Sequence, residues 1–273
     1  MTSNTPSIPF VKMHGLGNDF VIIQKSNIID NVSYQELAIN ISDRRLGIGC
    51  DQFIIYDQNG NQVTMQIFNI DGSLALACGN ASRCLSRLIF DNSGHKEITI
   101  YVGRREVRCK YYSHDMISVN MGPVSFVEDW MPQQIDLWSL AQKYGIEPKE
   151  IICVDVANPH LVIFSKISPL DQELIGRNFQ NHSLFPNGIN VNFAEIEGDN
   201  IKLRVWERGT GFTHACGSGA IASFAAANKF NFVQNEALIL FELGNLLMKK
   251  QDDNITMTGP TSFVFKGDFY YER

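Results

Sequence analysis

The strongest constraint on the fold of this chain is an internal repeat with a period close to half its length. Ala77-Cys78-Gly79-Asn80 recurs 138 residues later as Ala215-Cys216-Gly217-Ser218. At the same offset, the alternating apolar and polar residues at 63–67, which are typical of a strand, recur at 201–205. One shared tripeptide would carry little weight, but matching strand patterns ahead of it indicate a duplicated unit.

The repeat continues upstream of these strands. Asn18, which precedes an apolar run, matches Asn158 at an offset of 140 residues. Gly49-x-Asp51 matches Gly188-x-Asn190 at an offset of 139. Loop insertions cause drifts of this size, so the matches remain collinear.

Downstream of the cysteines, the two copies also end in the same way. Residues 107–121 and 246–258 each have the pattern of a hairpin, and each hairpin is followed by Gly-Pro. The chain is therefore predicted to form two similar domains, over residues 1–122 and 123–261.

The residues after each cysteine predict a helix. Residues 220–227 are apolar on nearly every side, which is typical of a helix enclosed by its own sheet. The fold class predicted is α/β (α+β), with two pseudo-symmetric domains, each a curved, mostly antiparallel sheet or barrel around a central helix. In the first copy the apolar residues follow the i, i+3, i+4, i+7 spacing of one helical face, at Ala81, Cys84, Leu85, Leu88 and Ile89.

Composition and charge exclude several classes of protein. The 273-residue chain, with 44% hydrophobic and 19% charged residues, has the composition of a globular protein with a core. Its net charge of −6 and the absence of a Lys/Arg cluster predict no nucleic-acid partner and no membrane partner. The first ten residues lack the basic start and apolar run of a secretory signal, which predicts a cytoplasmic protein.

Two of the six cysteines stand at predicted helix starts. A helix N-terminus has unpaired backbone N–H groups and a partial positive charge, so it binds anions and lowers the pKa of a thiol. The symmetric placement of Cys78 and Cys216 predicts a functional role for both. The remaining four are interpreted as small buried apolar side chains: Cys50, Cys84, Cys109 and Cys153.

Two matched thiols suit the inversion of a carbon centre. A base takes a proton from one face of the carbon and an acid returns a proton to the other, so one ionised and one protonated thiol perform both steps. Pseudo-twofold symmetry would bring the two helix starts face to face. Their backbone N–H groups would hold a substrate carboxylate and stabilise the carbanion.

Polar residues around these turns suit an amino-acid ligand. Arg208 can form a two-pronged pair with a carboxylate, and Glu207 can receive an ammonium group. Singly, such residues are more often structural. His160 and His214 come without a further ligand set, so we predict no metal site. Four asparagines occupy positions related by the repeat: Asn18, Asn69, Asn158 and Asn190.

Six motifs together carry a resemblance to a known family. They are Lys12-Met13-His14-Gly15-Leu16-Gly17-Asn18-Asp19-Phe20, Phe68-Asn69-x-Asp71-Gly72-Ser73, Cys78-Gly79-Asn80, Asn158-Pro159-His160, Glu207-Arg208-Gly209 and Ala215-Cys216-Gly217-Ser218-Gly219. They cover nearly the whole chain, which resembles diaminopimelate epimerases. This resemblance implies interconversion of LL- and meso-diaminopimelate, in lysine and peptidoglycan precursor biosynthesis, with no cofactor.

The resemblance also implies roles for individual residues. Cys78 and Cys216 would be the acid/base pair, and His160 and Glu207 would tune the thiols. Gly79-Asn80 and Gly217-Ser218 would supply main-chain donors to the reacting carboxylate. The substrate would be held by Asn18, Gln52, Asn69, Asn158, Asn190, Glu207 and Arg208.

The resemblance further implies a homodimer and a C-terminal strand, residues 262–273, that returns to the first domain. The chain departs from the family pattern at two places. Ala81 stands where a glycine is usual, and Cys50 stands where an aromatic residue is common. Neither change affects the pair of cysteines at the helix starts.

The sequence is also compatible in part with three other functions. A proline racemase or hydroxyproline epimerase would use paired cysteines but would not need Asn158, Asn190 and Arg208 for a second amino-acid head. A thiol sensor would form a reversible disulfide between Cys78 and Cys216. A pyridoxal enzyme would leave the thiol pair unexplained. Exchange of solvent hydrogen into a bound amino acid separates an enzyme from a sensor.

Overall fold

The structure, a computed structural model, describes residues 7–28, 32–75 and 78–271. Its internal contacts divide the chain into two compact units, one made of Met1–Val119 and Gly259–Arg273 and the other of Asn120–Thr258. The domain boundaries predicted at 122/123 and 261/262 lie three residues further along the chain, and they remain predictions. Within the described ranges, no helix combines the length and the apolar character needed to cross a membrane.

The N-terminal part of the chain alternates strands with two α-helices, the second of which begins directly after Cys78. Its elements are β1 (Ser7–Gly15), β2 (Asn18–Gln24), α1 (Tyr34–Ser42), β3 (Gln52–Asn59), β4 (Gln62–Asn69), β5 (Leu74–Ala75), α2 (Gly79–Ser93), β6 (Glu97–Val102), β7 (Arg105–Ser113) and β8 (Met116–Asn120).

The following part of the chain repeats this succession after one additional helix. Its elements are α3 (Gln134–Gln142), β9 (Ile151–Asp155), β10 (Pro159–Ile163), α4 (Pro169–Gln180), β11 (Asn190–Glu197), β12 (Asn200–Glu207), β13 (Gly211–Thr213), α5 (Gly217–Lys229), β14 (Glu236–Phe241), β15 (Gly244–Gln251) and β16 (Asn254–Pro260). The last strand is β17 (Ser262–Tyr270).

The strands of the two units pair in the same order. In the first unit, β2 runs parallel to β3 and β4 runs parallel to β6, while β1–β2, β3–β4 and β6–β7 are antiparallel. In the second unit, β10–β11 and β12–β14 are parallel, while β9–β10, β11–β12, β14–β15 and β15–β16 are antiparallel. The predicted mixed α/β class with mostly antiparallel sheets is confirmed.

The strand register corrects one detail of the repeat. In the parallel pairs, Phe20 lies opposite Gln52, and His160 lies opposite Asn190. Gln52, rather than Asp51, is therefore the counterpart of Asn190, and the alignment made from the sequence is wrong by one residue there. The cause is the position of the glycine used as the anchor, since Gly49 lies three residues before Gln52 whereas Gly188 lies two residues before Asn190.

Each of the two long helices that follow a cysteine is buried against strands of its own unit. Helix α5 packs against β9, β10, β11, β12, β14 and β15, and it buries almost every residue from Gly217 to Ala227. Helix α2 packs against β1, β2 and β7 and ends at Gly94, whose φ of 75° is the left-handed conformation that glycine adopts readily. The helices predicted from the apolar patterns are confirmed.

Strand β17 pairs antiparallel with β1, from Ser7 opposite Tyr270 to His14 opposite Ser262. β1 also pairs with β2, so the C-terminal strand completes the sheet of the first unit. This strand is the one implied over residues 262–273, of which 272 and 273 lie outside the described residues.

Candidate active site

The first cysteine turn, residues 78–83, begins helix α2. Cys78 is the N-cap residue, with extended backbone angles (φ −152°, ψ 111°), and its sulfur accepts a hydrogen bond from the Ala81 N–H at 3.4 Å. A thiol here does what a serine or aspartate side chain usually does at a helix start. Gly79 and Asn80 are the first two residues of the helix, and backbone N–H groups at these positions are directed out of a helix N-terminus.

Two asparagine amides join this turn to strand β2. Asn80 Nδ2 donates to Asn18 Oδ1 at 3.1 Å, and that same oxygen lies 3.7 Å from Cys78 Sγ. Both amides have a fixed orientation. Arg83 can only donate, and it donates to Asn80 Oδ1 at 2.8 Å, while Asp51 can only accept when ionised, and it accepts from Asn18 Nδ2 at 3.0 Å.

Arg83 is fully buried and was not predicted as a site residue. Burial lowers the pKa of this guanidinium, whereas the neighbouring thiols Cys84, Cys78 and Cys109 act in the opposite direction. Gly15 leaves room beside it, because a Cβ there would lie 3.1 Å from Arg83 Nη2 and 3.4 Å from Asn80 Cβ. The sequence signal that could have identified Arg83 was a charged residue in a helical turn whose other residues are apolar or small.

A network of ion pairs holds the segments around Asn18. Lys12 donates to Asp19 and to the backbone oxygen of Gly49, and Arg44 bridges Asp19 and Asp51 at 2.7 Å each. Burial raises the pKa of Asp19, but the hydrogen bonds from Arg44 and Lys12 outweigh it and lower that pKa to about 2. The network fixes Asp51, which in turn orients the Asn18 amide.

Gln52 and Asn69 lie opposite each other on β3 and β4. Gln52 Nε2 donates to Asn69 Oδ1 at 3.1 Å, and Asn69 Nδ2 donates to Ser73 Oγ at 3.1 Å. The structure thus links Asn18 and Asn80 to the Cys78 turn, and it pairs Gln52 with Asn69 on β3 and β4.

The second cysteine turn, residues 216–221, begins helix α5 with the same backbone geometry. Cys216 is the N-cap residue (φ −126°, ψ 114°), and its sulfur accepts from the Gly219 N–H at 3.4 Å. Gly219 approaches strand β11 closely, because a Cβ there would lie 2.5 Å from Asn192 Oδ1. In this turn a hydroxyl, Ser218 Oγ, lies 3.5 Å from the sulfur.

His160 lies fully buried behind the second turn. Its Nε2 is 3.0 Å from Ser218 Oγ and 3.2 Å from Asn158 Oδ1, and its Nδ1 is 3.1 Å from Asn192 Nδ2. Burial lowers the pKa of His160 to about 3, so the ring is neutral at neutral pH. Asn192 was not predicted. Its signal was a polar residue two positions after Asn190, on the same face of a buried strand.

Asn190 and Arg208 form a second set at the ends of β11 and β12. Asn190 Nδ2 donates to the Pro159 oxygen at 2.8 Å, and its Oδ1 accepts from the Arg208 backbone N–H at 3.0 Å. The guanidinium of Arg208 donates to the Asn187 oxygen at 2.8 Å. Asn190 therefore joins the ends of three strands and positions Arg208.

Glu207 lies at the end of β12, opposite Gly211 of β13, and accepts a hydrogen bond from the Thr213 hydroxyl. Asn158 Nδ2 donates to Ser218 Oγ at 3.4 Å. In the second unit, Asn158 and His160 thus contact Ser218 beside Cys216. Asn190 contacts Arg208, which directly follows Glu207.

The other four cysteines differ from this pair by their position, because none of them is the N-cap of a helix. Burial raises the pKa values of Cys84, Cys109 and Cys153 to about 12, so these thiols remain protonated at neutral pH. Burial also raises the pKa of Cys50, whose sulfur lies 3.3 Å from Ser42 Oγ inside the core beside α1. These surroundings favour packing roles for all four.

Sequence comparison places this arrangement in a known family. A family model described as Diaminopimelate epimerase matches residues 10–127 and 152–264. The chain belongs to the diaminopimelate epimerase family. The diaminopimelate epimerase of Rickettsia prowazekii is 51% identical over 266 residues, covering 97% of this chain and 98% of the relative, and that of Rickettsia bellii is 51% identical over 265.

Solved structures of this fold extend beyond the family. A predicted epimerase from Pseudomonas aeruginosa superposes with a TM-score of 0.71, covers 97% of this chain and 100% of its own, and is 12% identical. A hydroxyproline epimerase from Agrobacterium vitis superposes with a TM-score of 0.67 at 12% identity and covers 97% of this chain and 93% of its own. At these identities the likeness concerns the fold alone.

Proposed function

We propose that this chain converts LL-diaminopimelate to meso-diaminopimelate by cofactor-independent, two-base epimerisation. The observation that carries the proposal is the pair of repeat-related cysteines, each of which is the N-cap of a central helix in a member of this family. Cys78 and Cys216 are the acid/base pair of this mechanism. One sulfur, as thiolate, removes the α-proton, and the other, as thiol, delivers a proton to the opposite face.

The reverse reaction uses the same groups with exchanged roles. After one turnover, the sulfur that removed a proton carries one and the other is ionised, so each direction of the reaction starts from one of the two states. Loss of either thiol therefore abolishes epimerisation in both directions.

The helix starts supply the donors that stabilise the carbanion. Each cysteine sulfur takes the third N–H of its helix, so the sulfur and the N–H groups at Gly79-Asn80 or Gly217-Ser218 share one helix end, and these donors bind the α-carboxylate. Charge that develops on this carboxylate as the proton leaves is then met by preorganised dipoles. Such electrostatic stabilisation usually contributes more to the rate than any other single effect.

The remaining polar residues hold the amino groups and the distal carboxylate. Arg208 binds the distal carboxylate, and Glu207 receives an ammonium group. Asn190 acts through Arg208, whose backbone it positions. His160 acts through Ser218 and Asn158. The amides that complete the binding set are Asn18, Gln52, Asn69 and Asn158.

We further propose a cytoplasmic homodimer. The support for a dimer is β17, which exposes Phe263, Val264 and Phe265 on the completed sheet of the first unit. Exposed apolar groups of this size are typical of a surface that another chain covers. Sedimentation of the purified protein measures the assembly state.

The deciding experiment for the activity is incubation of the reduced protein with LL-diaminopimelate in heavy water, followed by NMR. We expect deuterium at one α-carbon together with formation of the meso isomer. Proline and hydroxyproline in parallel samples serve as controls for the other activity known in this fold. Absence of both exchange and epimerisation of diaminopimelate would contradict the proposal.

A further inference from the structure

The Ser218 side chain occupies a position between the buried His160 and the Cys216 sulfur. Its Oγ is 3.0 Å from His160 Nε2, 3.4 Å from Asn158 Nδ2 and 3.5 Å from Cys216 Sγ. The direction of each of these hydrogen bonds follows from what the surrounding groups can donate and accept.

The position of the proton on His160 is set by Asn192. Asn192 Nδ2 donates to the Leu161 backbone oxygen at 2.9 Å, which fixes the orientation of this amide, since a carbonyl oxygen can only accept. The same Nδ2 has a second hydrogen, which points at His160 Nδ1 at 3.1 Å. In the neutral ring Nδ1 is therefore the acceptor, and the single ring proton is on Nε2.

The proton of the Ser218 hydroxyl is consequently directed at sulfur. A hydroxyl has two acceptor positions and one proton. Asn158 Nδ2–H and His160 Nε2–H, the latter shared with Asn158 Oδ1 at 3.2 Å, are directed at the two acceptor positions, so the O–H is available to donate to Cys216 Sγ. Gly219 N–H donates to the same sulfur at 3.4 Å, so two donors converge on it.

We propose that the Ser218 hydroxyl, oriented by His160 and Asn158, is a positioning residue that donates its proton to the Cys216 sulfur and so stabilises the thiolate of this cysteine. The inference rests on the proposed function for its catalytic meaning, and adds to it a side-chain role for Ser218 distinct from that of its backbone N–H.

The first turn is built differently at the equivalent place. Asn80, the counterpart of Ser218, directs its Nδ2–H to Asn18 Oδ1, and this acceptor oxygen is the side-chain atom 3.7 Å from Cys78 Sγ. Charged groups near the first turn are Arg83 on α2 and Asp51 behind Asn18. Near the second turn they are Glu207 and Arg208, at the end of β12.

The test compares the pH dependence of alkylation at the two cysteines. The reduced full-length protein and its variants react with iodoacetamide across a pH series. Mass spectrometry of the peptides gives the pH at which the alkylation rate is half-maximal, called the midpoint below, for Cys216 and, in the same sample, for Cys78. Ser218→Ala removes the hydroxyl, and Ser218→Thr keeps it. Ser223→Ala is the matched control, because it removes another buried serine hydroxyl of the same helix.

In Ser218→Ala we expect the Cys216 midpoint to rise by about one pH unit, the size of effect when a charged acceptor loses a donor. Ser218→Thr and Ser223→Ala should keep the parental midpoint, and the Cys78 midpoint should not move. An unchanged Cys216 midpoint in Ser218→Ala, or an equal shift at both cysteines, overturns the inference.

The readout does not depend on turnover, so the two proposals fail separately. A shift at Cys216 in a protein that fails to epimerise diaminopimelate would leave the hydroxyl role standing and remove the proposed function. Active enzyme in which Ser218→Ala has the parental Cys216 midpoint would do the reverse.

Discussion

The two cysteine turns share a backbone but differ in the side chains around it. In both, a cysteine is the N-cap of a buried helix and its sulfur accepts from the third N–H at 3.4 Å. Around Cys78 the supporting groups are charged, with Arg83 and Asp51 at the ends of an amide chain. Around Cys216 they are a neutral histidine and a serine hydroxyl.

One backbone turn can therefore place a thiol in two different polar surroundings. The repeat supplies the helix start, its first N–H groups and the strand register, all of which are backbone properties. The side chains then decide whether the sulfur faces an amide oxygen, as at Cys78, or a hydroxyl, as at Cys216. An enzyme with two catalytic thiols needs both sulfurs at equivalent positions. Different polar groups around the two sulfurs suit such an enzyme, since only one thiol is ionised at a time.

The largest expected effect comes from removing either sulfur. Cys78→Ala and Cys216→Ala should each reduce epimerisation in both directions by on the order of a thousandfold or more, because an acid or base is lost. Cys84→Ala and Cys109→Ala, at buried positions, are the controls and should mainly lower stability. Steady-state rates and melting temperatures of the four variants separate the two classes. Near-normal turnover in either turn variant would break the two-base mechanism.

A second, smaller effect is expected from Arg208→Lys. Lysine keeps the charge but loses the two-pronged geometry for the distal carboxylate. The reacting carbon is then misplaced, and an error of about 1 Å costs on the order of a hundredfold in rate. We expect a fall of this size in kcat/KM for diaminopimelate without a gain of activity on proline. Unchanged kinetics would limit Arg208 to a structural role, such as its hydrogen bond to the Asn187 oxygen.

Exchanging one side chain between the turns tests whether Arg83 orients Asn80. The counterpart of Arg83 is Ile221, so Arg83→Ile gives the first turn the side chain of the second. Asn80 then loses the donor that fixes its orientation, and we expect kcat/KM to fall by about tenfold, the effect of one hydrogen bond to a charged group. Arg83→Lys retains a buried donor and should recover part of the loss. Equal activity in the two variants would contradict the orienting role.

The smallest effect concerns acid stability, and it should differ between the units. The folded-state pKa of His160 is about 3, against an ordinary value of 6.5, so the unfolded chain binds a proton before the folded chain does. Stability of the second unit should therefore fall as pH drops from 6.5 towards 3. In the first unit, Asp19 contributes stability that is lost only below its ordinary pKa of 3.8, as pH falls towards about 2.

Hydrogen exchange measures this difference. Between about pH 7 and about pH 5, after correction for intrinsic exchange rates, α5 should lose more protection than α2. The control is His160→Phe, which copies the Phe20 counterpart and removes the titrating ring, so its α5 should respond to pH as α2 does. Equal loss in both helices of the parent protein would contradict this assignment.

The parts of the site that the sequence could predict are those with local signals. Helices after Cys78 and Cys216 follow from apolar spacing within about three turns, and the strands follow from alternation. The equivalence of Gln52 and Asn190 could not be derived in the same way, because the glycine before each strand lies at a different distance from it. Strand register in the structure resolved it.

Buried polar contacts between distant segments were harder to predict. The bond from Asn80 to Asn18 joins residues 62 positions apart, and the bond from Asn192 to His160 joins residues 32 positions apart. Neither Arg83 nor Asn192 has a sequence pattern that states its partner. Their importance depends on burial, which makes each unmade hydrogen bond costly and so fixes the geometry.

The pairing of β17 with β1 has a consequence for biosynthesis of the chain. The second unit is continuous in sequence, so its strands and helices can fold as soon as residues 120–258 have left the ribosome. The first unit must wait, since β1 near the N-terminus finds its outer partner only in residues 262–270. Until residues 262–270 have left the ribosome, the nascent chain carries a β1 edge without this partner, and this interval is when it most needs protection from aggregation.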